Sequence, residues 1–258
     1  MFANKAILIS NEEKAQFFEK GYTTLQNVIT PESLEMLRSE CDRLLSETDT
    51  QLERDGIEIK PLGIGIGTHR KRNYFFPAYN KSKNLKSFIF SDLTEELCRA
   101  FLGDTAFLYY EAFIVKYPRV GLPFIWHQDS AYIKREHKPF ITLWCTLDDV
   151  SDASGTLRVL PYERAGTETR QPHILVDPPS PQMVGYFGDD PGDPVEVSAG
   201  SIAVLSSTTF HRSGPNVSDR MRRVYLVSYS VEPILSDDND TRPKAMAEVF
   251  LKDGDRVA

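Results

Sequence analysis

At 258 residues the chain is long enough for one large domain, or for one domain with an appended helical layer, and for a sizeable core. Its formal net charge of −7 gives no electrostatic reason to expect nucleic acid or an anionic membrane as a partner. Basic clusters at residues 69–72 and 220–223 are short, and local anionic ligands account for them more economically.

Cys41, Cys98 and Cys145 are odd in number, lack a CxxC pair and show no regular spacing, which argues against a disulfide scaffold or a thiolate zinc site. Each sits in an apolar pattern and reads as a small core residue. The start, Met1-Phe2-Ala3-Asn4-Lys5, lacks the profile of a signal peptide, and no apolar run approaches the ~20 residues of a membrane span. The expectation is a soluble, cytoplasmic protein whose partner is a small molecule.

Residues 1–104 read as a mainly helical layer. Thr30 is placed to cap a helix with Pro31 at its first position, and Leu34, Leu37, Cys41, Leu44 and Leu45 form one apolar stripe. A second helix starts at Ser91 and buries Leu93, Leu97, Ala100 and Phe101, with Gly103 placed to end it. Between them, Gly63-Ile64-Gly65-Ile66-Gly67 superficially looks like a phosphate loop. It lacks a Lys-Ser/Thr pair and a strand–helix setting, so it reads as a flexible loop.

From about residue 105 the pattern turns to strands, at 107–116, 140–147, 156–160, 195–197, 201–206 and 222–231. Strands at short spacing, with no helices between them, predict a mainly β fold with flanking helices, its core an antiparallel jelly roll over 105–232. Residues 162–194, rich in proline and acids, read as a functional lid. Residues 233–258 read as a C-terminal tail.

His127-Gln128-Asp129 follows the apolar run Phe124-Ile125-Trp126. If the run is extended, alternation projects His127 and Asp129 into one cavity. His211, between the 201–206 strand and the turn Ser213-Gly214-Pro215-Asn216, returns to the same cavity in a jelly roll. Two imidazoles and a carboxylate suit divalent iron and cover one face of an octahedral ion. Taken alone, His127-x-Asp129 is also what chance produces on a surface strand, and His211 alone reads equally as a capping imidazole. Arg222 heads a strand whose alternate residues are Val224, Leu226 and Ser228, so its guanidinium enters an apolar interior and needs an anion there. That anion is either an internal acid or the carboxylate of a small molecule.

These residues in this order, together with Trp144, Leu147-Asp148-Asp149, Gly155-Thr156-Leu157 and Leu160-Pro161, resemble the phytanoyl-CoA dioxygenase (PhyH) family of iron(II)- and 2-oxoglutarate-dependent oxygenases. Phe18-Glu19-Lys20-Gly21-Tyr22 with Asn27-Val28-Ile29-Thr30 is similar to that family's opening, so the resemblance runs from about residue 15 to 232. It implies a double-stranded β-helix core, a single catalytic domain, and iron held by His127, Asp129 and His211. It implies that 2-oxoglutarate is anchored by Arg222, eleven residues after the distal histidine, with Arg220 and Arg223 as flanking candidates. Ser213 and Trp144 match positions near the co-substrate in relatives, and read otherwise as a turn hydroxyl and a core aromatic; Gln128, between two of the ligands, is placed to touch co-substrate or substrate, or by alternation to face the opposite side. The implied reaction uses dioxygen to oxidise a small molecule, most often by hydroxylation, with desaturation, epoxidation and ring closure as other outcomes and secondary metabolism as the setting.

Two departures bear on substrate. Pro161-Tyr162-Glu163-Arg164 stands where relatives often carry Pro-Gly-Ser-His, and no long basic surface suits coenzyme A. An intact Asp129 disfavours halogenation, since halogenating relatives replace that carboxylate by a small residue. His/Asp/His also suits zinc in a hydrolase, and a jelly roll that binds without catalysis is the non-enzymatic alternative.

Overall fold

A computed structural model of the chain describes residues 9–56, 72–75, 79–119, 123–176, 182–234 and 247–257. The glycine-rich loop at 63–67 and the basic cluster up to Lys71 lie outside the described residues. Helices α1 (Asn11–Lys20), α2 (Pro31–Arg54), α3 (Lys83–Ile89) and α4 (Asp92–Phe101) come first, and α5 (Tyr162–Ala165) is a single later turn. The early strands are β1 (Tyr22–Leu25), β2 (Arg72–Phe75), β3 (Ala106–Lys116), β4 (Phe124–His127) and β5 (Ile141–Thr146). Next come β6 (Leu157–Leu160), β7 (Ile174–Val176), β8 (Gln182–Val184) and β9 (Asp193–Pro194). The last are β10 (Ile202–Ser206), β11 (Phe210–Ser213), β12 (Arg222–Ser230), β13 (Glu248–Lys252) and β14 (Asp255–Arg256).

Among the described residues, a large antiparallel sheet runs β1-β10-β5-β12-β3-β13-β14, with β2 also paired to β3. A smaller sheet runs β4-β11-β6-β9, and β7 pairs with β8 as a separate hairpin. The two larger sheets face one another as the expected jelly roll, with the helices against the outside of the large one.

Strand alternation explains how one sheet serves two cores. On β12, Val224 packs inward with Trp144, Leu157, Val159, Ala203 and Leu205 between the sheets. Tyr225, Val227 and Tyr229 point the other way, onto Leu37, Cys41, Phe88, Leu93 and Leu97 from α2, α3 and α4. Each such side chain, fully buried, contributes about 1.5–3 kcal/mol, so the large sheet is a rigid base for whatever projects from its inner face. All three cysteines are free and buried.

Local chemistry sets the helices. Thr30 Oγ1 accepts the Ser33 N–H at 3.2 Å and Pro31 occupies the first turn of α2, as expected. Ser91 caps α4, and Gly103 closes it at φ +100° with its N–H on the Cys98 carbonyl. Gly21 ends α1 in the left-handed region, where a Cβ would stand 2.3 Å from Thr209 Oγ1. Its carbonyl receives the Ser206 N–H and the Thr209 hydroxyl, so this glycine ties the N-terminal layer to the β10–β11 connection.

The structure corrects several expectations. The first hundred residues contribute strands β1 and β2 as well as helices. Residues 195–197 form no strand; Asp193–Pro194 pairs with β6 instead, and Val197 makes only an isolated bridge with Val150. Part of the expected tail is β13, which pairs with β3 and buries Phe250 and Leu251 completely. Among the described residues no helix is long and apolar enough to cross a membrane.

Candidate metal centre and anion pocket

His127 and His211 meet because β4 and β11 are antiparallel neighbours in which these two residues are direct register partners. Their rings lie 4.3 Å apart between centroids. β4 ends at His127, earlier than the extended run expected to reach 129, and Asp129 opens a 3-10 turn, Asp129–Tyr132. Gln128 between them keeps extended angles (φ −112°, ψ 138°), so alternation survives one residue past the strand and Asp129 turns back toward the imidazoles. Asp129 Oδ1 lies 3.9 Å from His127 Nε2 and 3.6 Å from His211 Nε2. The three ligating atoms fall within 4.8 Å of one another.

Hydrogen bonding determines which atoms are available. His127 Nδ1 contacts the Ile125 carbonyl at 2.7 Å, and His211 Nδ1 contacts the Thr209 carbonyl at 3.0 Å. A carbonyl only accepts, so each Nδ1 carries the proton and each Nε2 presents a lone pair toward Asp129. Burial, reinforced by the neighbouring His211 and opposed by Asp129, pushes the His127 imidazole down to about 3. The ring is therefore neutral, as a ligand must be. Asp129 Oδ2 is held by the Thr142 hydroxyl at 2.9 Å, itself 3.0 Å from Ser228 Oγ, which leaves Oδ1 for a cation. Two oriented nitrogens and one oxygen on one side, with Asp129 partly exposed to the cavity, fit a ferrous ion with open positions opposite.

Gln128 turns away from this cluster. Its amide donates to the Thr169 and Thr208 carbonyls and accepts the Gln171 N–H at 2.7 Å. Its own N–H donates to His173 Nε2 at 3.1 Å. Of the two faces alternation allows, Gln128 takes the one away from the cluster, and it pins residues 169–173 to the ligand-bearing strand. At the lid's start Tyr162 bonds Thr208 at 2.8 Å, and Arg164 pairs with Asp190 and Asp193 near its end. The departure at residues 161–164 therefore ties this segment to Thr208 and to Asp190 and Asp193.

Arg222 lies on the inner face of the large sheet, 2% exposed, with its guanidinium 5.7 Å from the Trp144 ring centroid. It donates to the Gly155 carbonyl at 3.2 Å. Parity separates it from Arg223, which faces outward in a double contact with Asp148 and a further one with Asp42; Arg220 lies before β12 begins and is exposed. Ser213, on the same face of β11 as His211, is buried within 2.7 Å of Lys116 Nζ. Lys116, Thr142 and Ser228 did not stand out in the sequence. The available signal was parity: Lys116 continues the buried alternation Ala112, Ile114, and Thr142 precedes Trp144 by two.

Gly155 joins these parts. It sits at φ +71°, and a Cβ there would be 2.5 Å from the Gly214 carbonyl oxygen and 2.7 Å from that of Pro215. Left-handed backbone alone costs a non-glycine residue about 1–3 kcal/mol. In a chain of this size each kcal/mol moves the melting temperature by ~2–4 °C. Gly155→Ala is thus expected to lower the thermal midpoint by roughly 5 °C or more once the backbone clash is added. An unchanged melting curve would contradict this account of the turn.

Comparison with known proteins converges on one family. The family model described as phytanoyl-CoA dioxygenase (PhyH) matches residues 17–224. A probable alpha-ketoglutarate-dependent hypophosphite dioxygenase of Stutzerimonas stutzeri is 25% identical over 232 residues, 85% of this chain and 78% of that protein. A phytanoyl-CoA dioxygenase domain-containing protein 1 homolog of Dictyostelium discoideum is 23% identical, covering 86% of this chain and 91% of its own length. Among solved structures, EvdO2 of Micromonospora carbonacea var. aurantiaca complexed with 2-oxoglutarate is similar in fold, with TM-score 0.70 and 21% identity over 92% of this chain and 96% of that one. The carbocyclase SnoK of nogalamycin biosynthesis gives TM-score 0.69 and 23% identity over 90% of this chain and 88% of that one.

Proposed function

The chain belongs to the phytanoyl-CoA dioxygenase (PhyH) family, and from that premise we propose that His127, Asp129 and His211 hold ferrous iron while Arg222 grips the distal carboxylate of 2-oxoglutarate. The enzyme is an iron- and 2-oxoglutarate-dependent dioxygenase, with one catalytic domain across the chain. The observation that carries the residue assignment is the register pair His127–His211 with Asp129 Oδ1 within 3.9 Å of both Nε2 atoms.

When bound, iron with 2-oxoglutarate and dioxygen supplies the power to remove hydrogen from an unactivated carbon, the co-substrate leaving as succinate and carbon dioxide. The chain's own residues do the rest. Thr142 and the Ile125 and Thr209 carbonyls hold the three ligands in their productive orientation. Trp144 lies against the Arg222 guanidinium, so its planar fork is pre-set for a carboxylate. Val224, Leu226 and Val159 keep water from that pocket and strengthen its electrostatics.

The substrate is a small molecule, and the lid over 162–194 sets its identity. Gln182 of the β7–β8 hairpin accepts the Ile125 N–H at 3.0 Å, directly beside the first ligand. The hairpin leaves Ile174, Leu175 and Val176 exposed, and Phe187 follows, so an apolar rim flanks the mouth. Hydroxylation in secondary metabolism is the setting we favour, supported by the shared fold with an enzyme of nogalamycin biosynthesis. The net charge of −7 argues against a coenzyme A thioester.

The test is aerobic turnover of iron-loaded protein with 2-oxoglutarate and a panel of candidate metabolites. Succinate release that depends on one of them, with a product altered in mass by oxidation, is the expected result. Hydrolysis of a substrate by zinc-loaded protein, with 2-oxoglutarate left intact, would overturn the reading in favour of a zinc hydrolase. Tight binding of a metabolite with no succinate would favour a non-catalytic binder.

A further inference from the structure

Period two breaks once in β3, close to the metal centre. Ala106 and Leu108 pack with the helices, and so do Phe113 and Val115, so the outward face passes from even to odd positions along the strand. The switch is a β-bulge: Tyr110 is the register partner of Ser228, whereas Leu108 partners the very next residue, Tyr229. Tyr109 is the extra residue, packed with Ile133, Phe140 and Ile234, its ring 4.9 Å from that of Phe140 between centroids. Such a bulge re-aims the side chains beyond it, and here it turns Tyr110 to the inner face.

Tyr110 then stands in a row that begins at a candidate ligand. Thr142, whose hydroxyl holds Asp129, is the register partner of Ser228, and Ser228 is that of Tyr110. Strands repeat every ~4.8 Å, so Tyr110 lies roughly 10 Å from Thr142, with only the small Ser228 between them on this sheet. Half-buried side chains around the row are Tyr110, its diagonal neighbour Leu226, and from the opposite side Ile125 and Tyr132. The Tyr132 ring is edge-on to that of His127, 5.6 Å away between centroids. None of these side chains carries a charge. The inner-face cations Lys116 and Arg222 are buried at the other end of the same strands. A carboxylate set against Tyr110 and Leu226 would shed its water and meet only Asp129, of its own sign. A neutral ring loses little water there and meets an aromatic side chain from either side.

We propose that Tyr110 is a specificity-determining residue: with Leu226 and Tyr132 it forms the wall against which an uncharged ring of the substrate lies, so that the enzyme accepts a neutral cyclic molecule and rejects the same ring bearing a carboxylate beside the reacting carbon. This rests on the metal and co-substrate reading above and deepens it by naming the class of group that is oxidised. A phenol that merely braces the bulge would leave ligand preference untouched, whereas a substrate wall changes it.

The experiment is proton NMR on anaerobic, manganese-loaded protein with saturating 2-oxoglutarate, the zinc-loaded protein serving as diamagnetic reference. The probes are p-cresol, a neutral ring, and p-toluate, the same ring with a carboxylate. The methyl protons of p-cresol are expected to relax faster in the manganese protein, and those of p-toluate to stay at the zinc rate. Tyr110→Ala is expected to weaken p-cresol binding about three- to tenfold, the range for losing one aromatic pair, while 2-oxoglutarate affinity stays within about twofold of wild type. Tyr110→Phe, which keeps the ring, is expected to restore p-cresol binding. Equal relaxation of both probes, relaxation of neither, or p-cresol binding indifferent to Tyr110→Ala overturns the proposal. Should Tyr110→Ala fail to fold, Tyr110→Leu decides by the same loss or its absence. The two readings fail separately. Wild-type protein that binds no 2-oxoglutarate removes the co-substrate reading and the proposal with it, whereas 2-oxoglutarate binding with indifferent rings removes only the role of Tyr110.

Discussion

His127→Ala is expected to lose iron almost completely, by more than the ~10–100-fold that disturbing an outer-shell partner costs. Among the described residues the ring is one of three grouped side chains that could hold the ion, and its Nε2 lone pair is aimed at Asp129 Oδ1 by a bond from Nδ1 to the Ile125 carbonyl. Among the described residues no further metal-ligating side chain joins the group to replace it. Tyr132 packs edge-on to this imidazole, and His173 is engaged with the Gln128 N–H and the Gln171 carbonyl. Metal content after anaerobic loading and desalting measures the effect, with near-ultraviolet circular dichroism confirming that the jelly roll persists. Iron retained in equal proportion by wild type and variant would mean that the metal, if there is one, sits elsewhere.

Arg222→Ala is expected to separate metal from co-substrate. Iron binding is expected to survive, because the candidate ligand atoms come from His127, Asp129 and His211, while the affinity for 2-oxoglutarate falls roughly 30-fold or more, corresponding to the ~2 kcal/mol lower bound for truncating one partner of a buried charge pair. The neighbours supply a built-in control. Arg223 is committed to Asp148 and Asp42 on the outer face, so Arg223→Ala should leave the requirement for 2-oxoglutarate unchanged within about twofold. The reverse order of effects would assign the anchor to the wrong side of β12.

Much of this was legible in the sequence, and the failures follow a physical pattern. Periodicity placed α2 and α4 because capping residues and an apolar stripe agree there. It placed Arg222 inward because Val224, Leu226 and Ser228 fix the parity of β12. His211 was legible only in combination with other residues, since a single imidazole before a turn has no face until its strand partner is known. That partner turned out to be His127 itself. Gln128 showed the limit of alternation: period two says that neighbours oppose one another, while the lid backbone that receives the amide comes from residues more than forty positions away. Lys116 was passed over because a lysine at a strand end ordinarily reaches water; its burial depends on β2 and β12 flanking β3 and on the turn at Gly214. Glu248–Lys252 had the same difficulty, a short strand whose identity is settled by an open edge of β3 far back in the chain.

The most direct test of the whole arrangement is an anaerobic titration of the protein with iron(II) and then 2-oxoglutarate, followed in the visible range. A weak charge-transfer band that requires both additions, is lost in His127→Ala and needs a higher 2-oxoglutarate concentration in Arg222→Ala is the predicted result. Folded wild-type protein that shows no such band at saturating iron and 2-oxoglutarate would contradict it.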